Sequence, residues 1–114
     1  MLARNNRFHG YSSLNWAYRH GETIRDHKLS LKYANNQRRH TYRVAVVISR
    51  KVNKSAVVRN RIRRRIYEVL RSNSDAIKGN YDLIFSVYGD ELADISSKEL
   101  EVMVKGLLKR ANII

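Results

Sequence analysis

The chain of 114 residues carries 23 lysines and arginines against 10 acidic residues, a formal net charge of +13, and has no cysteine or proline. This length fits one domain, 1–114, and the lack of cysteine excludes disulfides and thiolate metal sites, in agreement with a cytoplasmic location. No apolar run is long enough to span a membrane, and residues 1–15 lack the apolar segment of a signal peptide.

The first half of the chain is predicted to form a helix followed by three strands. Residues 1–10 are basic and irregular, a candidate flexible segment. Ser12 or Ser13 can cap the helix that follows, and Gly21 suits the position just past its end. Alternating and β-branched stretches predict strands at Glu22–Arg25, Lys28–Tyr33 and Thr41–Ser49, with a polar loop at 34–40.

The second half of the chain is predicted to form an arginine-rich helix at 55–71, a polar loop at 72–80 and a buried strand at Tyr81–Tyr88. A capping box of Ser96 and Glu99 opens a last amphipathic helix that extends to Ala111. The order is therefore α-β-β-β-α-β-α. It predicts a single α+β domain in which one four-stranded sheet packs against helices.

The arginine-rich helix has an apolar side and a cationic side. A helical projection places one stripe of Val58, Ile62, Ile66, Val69 and Leu70 against the sheet. Six arginines lie between Arg59 and Arg71, together with Asn60, and Glu68 is the only acid. Like charges at i,i+4 repel by a few tenths of a kcal/mol per pair, a repulsion that bound phosphates would relieve. Guanidinium also matches phosphate geometry better than ammonium does.

The charge admits three kinds of partner: a nucleic acid, an anionic membrane surface or an acidic protein. A solvated basic surface without a partner is the plain alternative. The apolar stripe consists mostly of Val and Ile and lacks the large anchors of an interfacial helix, which argues against a membrane. These residues alone predict a polyanion-binding helix and do not separate DNA from RNA.

Residues 49–71, SRKVNKSAVVRNRIRRRIYEVLR, resemble the signature of the protein subunit of bacterial ribonuclease P. That family carries a basic pair at a strand end, then Ala-Val or similar, then an Arg-Asn-Arg helix. Residues 5–21, the strand YDLIFSV and the closing helix are similar to the family in the same order, so the resemblance covers nearly the whole chain. The basic pair here is Arg50 and Lys51, and the helix motif begins at Arg59.

The resemblance implies a ribonucleoprotein enzyme whose catalytic RNA removes the 5′ leader from precursor tRNA, with Mg²⁺ held mainly by the RNA. The protein would contribute no catalytic residue and no metal site, and would need no membrane and no obligate protein partner. It also implies a left-handed crossover between the last two strands, against the usual rule. The RNA-binding residues it implies are Arg50, Lys51, Arg59, Asn60, Arg61, Arg63, Arg64 and Arg65.

The resemblance also implies a leader-binding cleft between the first helix and the sheet, at Leu14, Tyr18 and Lys32. Leu14 stands where the family usually has Phe, and Lys32 where it often has Tyr. Leader binding is therefore expected to depend more on phosphate contacts than on stacking. Helical spacing leaves Tyr18 open as a core residue or a base-stacking residue. Tyr67 stands where the family commonly has Arg, and the sequence does not explain it.

Two other functions are compatible with parts of the sequence. The first is a stand-alone structural RNA-binding protein, such as a ribosome-associated one. The second is a nuclease that uses its own histidines, although no spacing of them supports it. Five acidic residues lie loosely grouped near the last strand, where they could hold Mg²⁺ or solvate turns. The histidines are His9, His20, His27 and His40, and the acids are Asp75, Asp82, Asp90, Glu91 and Asp94.

Overall fold

The elements follow the predicted order. The computed structural model describes residues 6–7, 11–37 and 41–114, and the side chains of the first helix from Trp16 onward. The α+β order α-β-β-β-α-β-α is confirmed. The elements are α1 (Tyr11–His20), β1 (Glu22–Arg25), β2 (Leu29–Asn35), β3 (Arg43–Ile48), α2 (Ala56–Ser72), β4 (Tyr81–Val87) and α3 (Ser97–Arg110).

Several predicted boundaries are wrong by one to three residues. Helix α1 already begins at Tyr11, so Ser12 and Ser13 lie inside the helix and do not precede it as caps. Strand β2 extends to Asn35 because its last two residues pair with β4, which local sequence does not reveal. Strand β4 ends at Val87, and two short 3₁₀ turns were not predicted, at Ser74–Ala76 and Asp90–Ala93.

The described strands form one four-stranded sheet in the order β1-β2-β4-β3. Strand β4 pairs antiparallel with β2 and parallel with β3. A parallel pair needs a crossover connection, and α2 supplies it between β3 and β4. The left-handed sense of this crossover stays a prediction from the resemblance.

The core lies between one face of the sheet and the helices α2 and α3. Leu31 and Phe85 pair across β2 and β4 on this face and are fully buried. The predicted stripe of α2 is confirmed, with Val58 half-buried and its other members buried. The side chains of Ser55 and Ser96 cap α2 and α3 by accepting from the amides of Val58 and Glu99, at 3.3 and 3.1 Å.

A buried ion pair joins the parallel strands on the other face of the sheet. Arg43 and Asp82 are register partners, and the guanidinium donates to both carboxylate oxygens at 2.9 Å. The amide of Asn36 donates to the same carboxylate, also at 2.9 Å. Because both charged side chains are at least nine-tenths buried, the pair specifies this register and makes either partner costly to remove alone.

Helix α1 covers only part of this second face. Ala17 is buried, and a Cβ at Gly21 would lie 2.7 Å from the carbonyl oxygen of Ala17 and 2.9 Å from Cγ of Lys32. Glycine is therefore required where the chain leaves α1 and approaches β2. Beyond α1, toward the ends of β3 and β4, Val47 and Ser86 remain exposed or half-buried. The uncovered part forms an open surface beside α1.

Candidate nucleic-acid interface

Two of the predicted RNA-binding arginines on α2 are used within the protein. Arg59 donates from Nη1 to the carbonyl oxygens of Asn53 and Lys54, at 2.9 and 3.0 Å. Arg65 donates to the carbonyl oxygens of Leu92 and Ile95 in and after the second 3₁₀ turn. These guanidinium groups fasten α2 to its flanking loop and to the segment before α3, which limits their freedom to contact a ligand.

Two other arginines of α2 are not engaged within the described part of the protein. Arg61 and Arg64 are exposed, and their side chains form no hydrogen bond or ion pair within the part of the chain that the structure describes. Arg63, which lies between them in the sequence but farther round the helix, donates to Oδ1 of Asn60 at 2.7 Å and to the carbonyl oxygen of Val46 at 3.4 Å. The first bond occupies the amide oxygen of Asn60 and leaves its amide nitrogen as a donor toward solvent. Arg61 and Arg64 are the guanidinium groups of α2 most available to an anion.

Grooves border α2 on both sides, and Arg64 lines each of them. The groove toward α3 has a volume of about 440 Å³ and includes Glu68 and Glu101, so its charge is mixed. The groove on the other side, of about 460 Å³, is lined by Val57, Asn60, Tyr67 and three arginines without an acid. The side of α2 that carries Arg63 and Arg64 therefore suits a polyanion better than the side toward α3.

The third arginine of this all-basic groove is Arg7, which sequence reasoning missed. Its backbone forms a parallel bridge with Val44, so Arg7 lies along the free edge of β3. The helical projection could not place it, because the contact is between distant parts of the chain. Arg7 joins the cationic side of α2 through tertiary structure alone.

Tyr67, which the family pattern left unexplained, is half-buried on the flank of α2. Burial raises the pKa of its phenol, and the nearby guanidinium groups of Arg63 and Arg7 oppose that shift. The side chain packs against the core and lines the all-basic groove. In a groove of this kind the aromatic ring can stack a base, and the arginines beside it can bind the phosphate.

The one acid of α2 is paired along the same helix. The guanidinium of Arg71 donates to the carboxylate of Glu68, and this contact holds the pKa of Glu68 below its ordinary value. Glu68 is exposed, so the pair adds little to stability. The carboxylate of Glu68 neutralises the charge of Arg71, which lies in the last turn of α2, away from Arg61.

The predicted basic pair lies in the turn after β3. Arg50 and Lys51 are both exposed. Lys51 also lines a shallow depression of about 410 Å³ with Val47, Ser86 and Tyr88, on the side of the sheet that α1 partly covers. The turn therefore lies between the α2 surface and the open face of the sheet, and a long ligand could contact both.

The predicted cleft residues Tyr18 and Lys32 do lie together. The Lys32 ammonium is 5.8 Å from the centroid of the Tyr18 ring, within the range of a cation–π contact. Tyr18 is 39% exposed, which argues against the core alternative. Burial, and then the neighbouring phenol of Tyr88, raise the pKa of Tyr18. The side chain of Leu14, the third predicted cleft residue, lies outside the described part of the chain.

The open face holds two further candidates, Tyr88 and Arg25. Tyr88 was predicted as the end of a buried strand, but it lies after β4 and is 46% exposed. The Arg25 guanidinium carbon stands 4.3 Å from the centroid of its ring. The signal available in the sequence was a tyrosine next to Gly89, at a position where a strand can end.

The histidines and acids do not form a shared site in the described residues. His20 stacks on Trp16 with ring centroids 4.8 Å apart, while His27 lies in the turn between β1 and β2. His9 and His40 lie outside the described residues. Lys28 pairs with Glu91 at 3.0 Å. Residues 6–7, 11–37 and 41–114 contain no cluster of three acids or histidines that could hold a metal ion.

Fold and site define a small α+β protein. One helix carries exposed arginines that are unpaired within the described part of the chain, and the opposite face of the sheet carries exposed aromatic–cation pairs. None of the helices in its described ranges has the length and apolar character needed to cross a bilayer. The sequence model of the family described as Ribonuclease P matches residues 2–112. The chain belongs to the ribonuclease P protein family.

Curated relatives and solved structures agree with this assignment. The ribonuclease P protein component of Clostridium novyi is 37% identical over 113 residues, which are 98% of each chain. That of Clostridioides difficile is 35% identical over 84% of this chain and 82% of the relative. The RNase P protein of Staphylococcus aureus superposes with a TM-score of 0.83 at 21% identity, over 95% of this chain and 96% of that one. The RNase P protein of Thermotoga maritima superposes with a TM-score of 0.76 at 20% identity, over 85% of this chain and 89% of that one.

Proposed function

We propose that the chain is the RNA-binding protein subunit of a bacterial ribonuclease P, which removes the 5′ leader from precursor tRNA. The observation that carries this proposal is the pair of exposed guanidinium groups of Arg61 and Arg64, which have no partner among residues 6–7, 11–37 and 41–114. They lie on a helix that neighbouring arginines hold in place. Family membership supports ribonuclease P as the complex.

In this proposal the arginine surface binds the catalytic RNA. Each cation that contacts a phosphate releases counterions, so binding becomes strongly dependent on salt. Arg61, Arg64 and the Arg63–Asn60 pair would contact the folded RNA, and Arg50 and Lys51 would extend the contact around the sheet edge. Mg²⁺ is assigned to the RNA, which performs the hydrolysis, and the protein contributes no catalytic residue. The cytoplasm is the compartment in which precursor tRNA would be met.

The proposed leader site is the face opposite α2. Tyr18 and Lys32 supply an aromatic ring and an ammonium group that can bind a stacked base and a phosphate of an unpaired strand. The two surfaces lie on opposite faces of one sheet. One protein can therefore contact the catalytic RNA and the substrate leader at the same time.

Reconstitution tests the proposal. The protein is expected to enhance cleavage of precursor tRNA by a bacterial ribonuclease P RNA when Mg²⁺ is kept low. In that regime the RNA alone is limited by charge repulsion, which added cations reduce. Cleavage rates with and without the protein provide the measurement. Unchanged cleavage together with binding to other structured RNAs would favour the stand-alone RNA-binding alternative, and cleavage by the protein alone would favour the histidine nuclease.

Replacing Tyr18 by alanine is expected to weaken binding of precursor tRNA more than binding of mature tRNA. The reason is that only the precursor has an unpaired leader to stack, and a lost stack weakens binding on the order of tenfold. Equilibrium binding of both tRNAs to the reconstituted complex is the measurement. An equal loss on both tRNAs would indicate damage to the fold under α1 and contradict the role of Tyr18.

A further inference from the structure

Tyr88 is an aromatic ring held in place at the surface. Its backbone N–H donates to the carbonyl oxygen of Lys28 at 2.9 Å, and its hydroxyl lies 3.0 Å from Oγ of Ser30 in β2. These contacts fix both ends of the residue against β2, on the face that carries α1. Even so, 46% of the residue is exposed. A fixed ring with one polar contact and a large exposed area is better suited to binding than to packing the core.

Arg25 supplies a cation at this ring. It is the register partner of Ser30 on β1, and its guanidinium carbon stands 4.3 Å from the ring centroid of Tyr88. This distance is well inside the range of a cation–π contact. The guanidinium keeps its charge while it stacks, so it can also attract an anion beside the ring.

The surroundings of this pair are aromatic and basic. Tyr18, with Lys32 at 5.8 Å from its ring, lies close enough to Tyr88 for that phenol to add to the effect of burial in raising the pKa of Tyr18. On the other side, Tyr88 and Lys51 line the same depression of about 410 Å³. Of the two acids that follow Tyr88 in the chain, Glu91 is paired with Lys28 and Asp90 accepts a hydrogen bond from Asn53.

We propose that Tyr88 and Arg25 form a stacking position for an unpaired nucleotide of RNA, next to Tyr18. The base packs on the exposed part of the Tyr88 ring, and the adjoining phosphate lies near the guanidinium of Arg25. Base stacking on aromatic rings tolerates any base, so the position selects single-stranded RNA and not a particular sequence. The inference rests on the proposed function, since it adds residues to the leader-binding face.

This position changes the expectation that leader binding depends mainly on phosphate contacts. Leu14 and Lys32 lack the aromatic rings that the family pattern has at those places. Tyr88 provides an aromatic ring close to Lys32, because Ser30, its hydrogen-bond partner, lies two residues before Lys32 on the same face of β2. The platform is thus assembled from β1, the end of β4 and α1.

The test uses the protein assembled with a bacterial ribonuclease P RNA, and compares the dissociation constants of precursor and mature tRNA. Tyr88→Ala is expected to weaken precursor binding on the order of tenfold, the effect of one lost base stack, and to leave mature tRNA binding unchanged. Arg25→Ala is expected to act in the same direction. Tyr88→Phe keeps the ring and loses only the hydroxyl contact with Ser30, so it should restore most of the preference.

Val102→Ala is the matched surface control, since Val102 is 64% exposed on α3, on the other side of the sheet. Thermal unfolding of each variant verifies the fold. A full preference for precursor in Tyr88→Ala, or an equal loss of both tRNAs, would overturn the inference while the proposed function stands. If the unmodified complex itself shows no preference for precursor, the proposed leader role fails and this inference fails with it.

Discussion

Replacing Asp82 by alanine is expected to lower the free energy of unfolding by about 3–5 kcal/mol. Asp82 is fully buried, and its carboxylate accepts two hydrogen bonds from Arg43 and one from Asn36. The substitution removes the carboxylate that balances a buried guanidinium, and it leaves a cavity between β3 and β4. The whole free energy of unfolding of a small domain is about 5–15 kcal/mol, so this loss is a large part of it. Urea denaturation followed by circular dichroism measures it.

Asp75→Ala is the matched control for Asp82→Ala, because Asp75 is exposed in the 3₁₀ turn after α2. Substitutions at such surface positions usually change stability by less than about 0.5 kcal/mol. For Asp82→Ala, the urea concentration at the midpoint of unfolding should fall. The slope of the unfolding free energy against urea concentration should stay the same. A loss of less than about 1 kcal/mol would show that the pair contributes little beyond its own desolvation cost.

Local pattern predicted the elements that depend on near neighbours in the chain. The apolar stripe of α2 was correct because residues three and four apart share a helix face wherever the helix packs. The serine caps of α2 and α3 also depend on near neighbours, because each serine hydroxyl accepts from an amide three residues further along the chain. Strand β2 was predicted too short, since Ala34 and Asn35 become strand only by pairing with β4. The polar sequence there predicted a loop, but pairing with β4 makes these two residues part of the strand.

The candidate site depended on distant contacts, which the sequence did not reveal. A helical projection treats Arg61 and Arg65 alike, as two cations on one arc. Arg65 is engaged because the carbonyl groups of the turn 27 and 30 residues further along the chain face it. In the same way, Tyr88 is exposed beside Arg25 only because β1 and β4 both pair with β2. Composition indicates that cations are abundant, but only the fold separates the available ones from those bound internally.

Replacing both Arg61 and Arg64 by alanine is expected to weaken binding to ribonuclease P RNA and to flatten its salt dependence. Each lost phosphate contact changes the slope of log K against log salt by roughly one unit, so the double variant should lose about two. Stability should change little, because these exposed side chains have no partner within the described residues. Dissociation constants measured over a series of KCl concentrations provide the slope.

Arg65→Ala should behave in the opposite way. Its guanidinium bonds the carbonyl oxygens of Leu92 and Ile95, so its loss should reduce stability by about 1–3 kcal/mol with a smaller change in the salt slope. Lys109→Ala is the charge-matched control, since Lys109 is exposed about 18 Å along α3 from the groove residue Ser97. A slope that stays unchanged in the Arg61 and Arg64 double variant would place the RNA site elsewhere. A slope that falls by the same amount per arginine in Arg65→Ala would mean that the internal bonds of Arg65 do not keep it from contacting RNA phosphates.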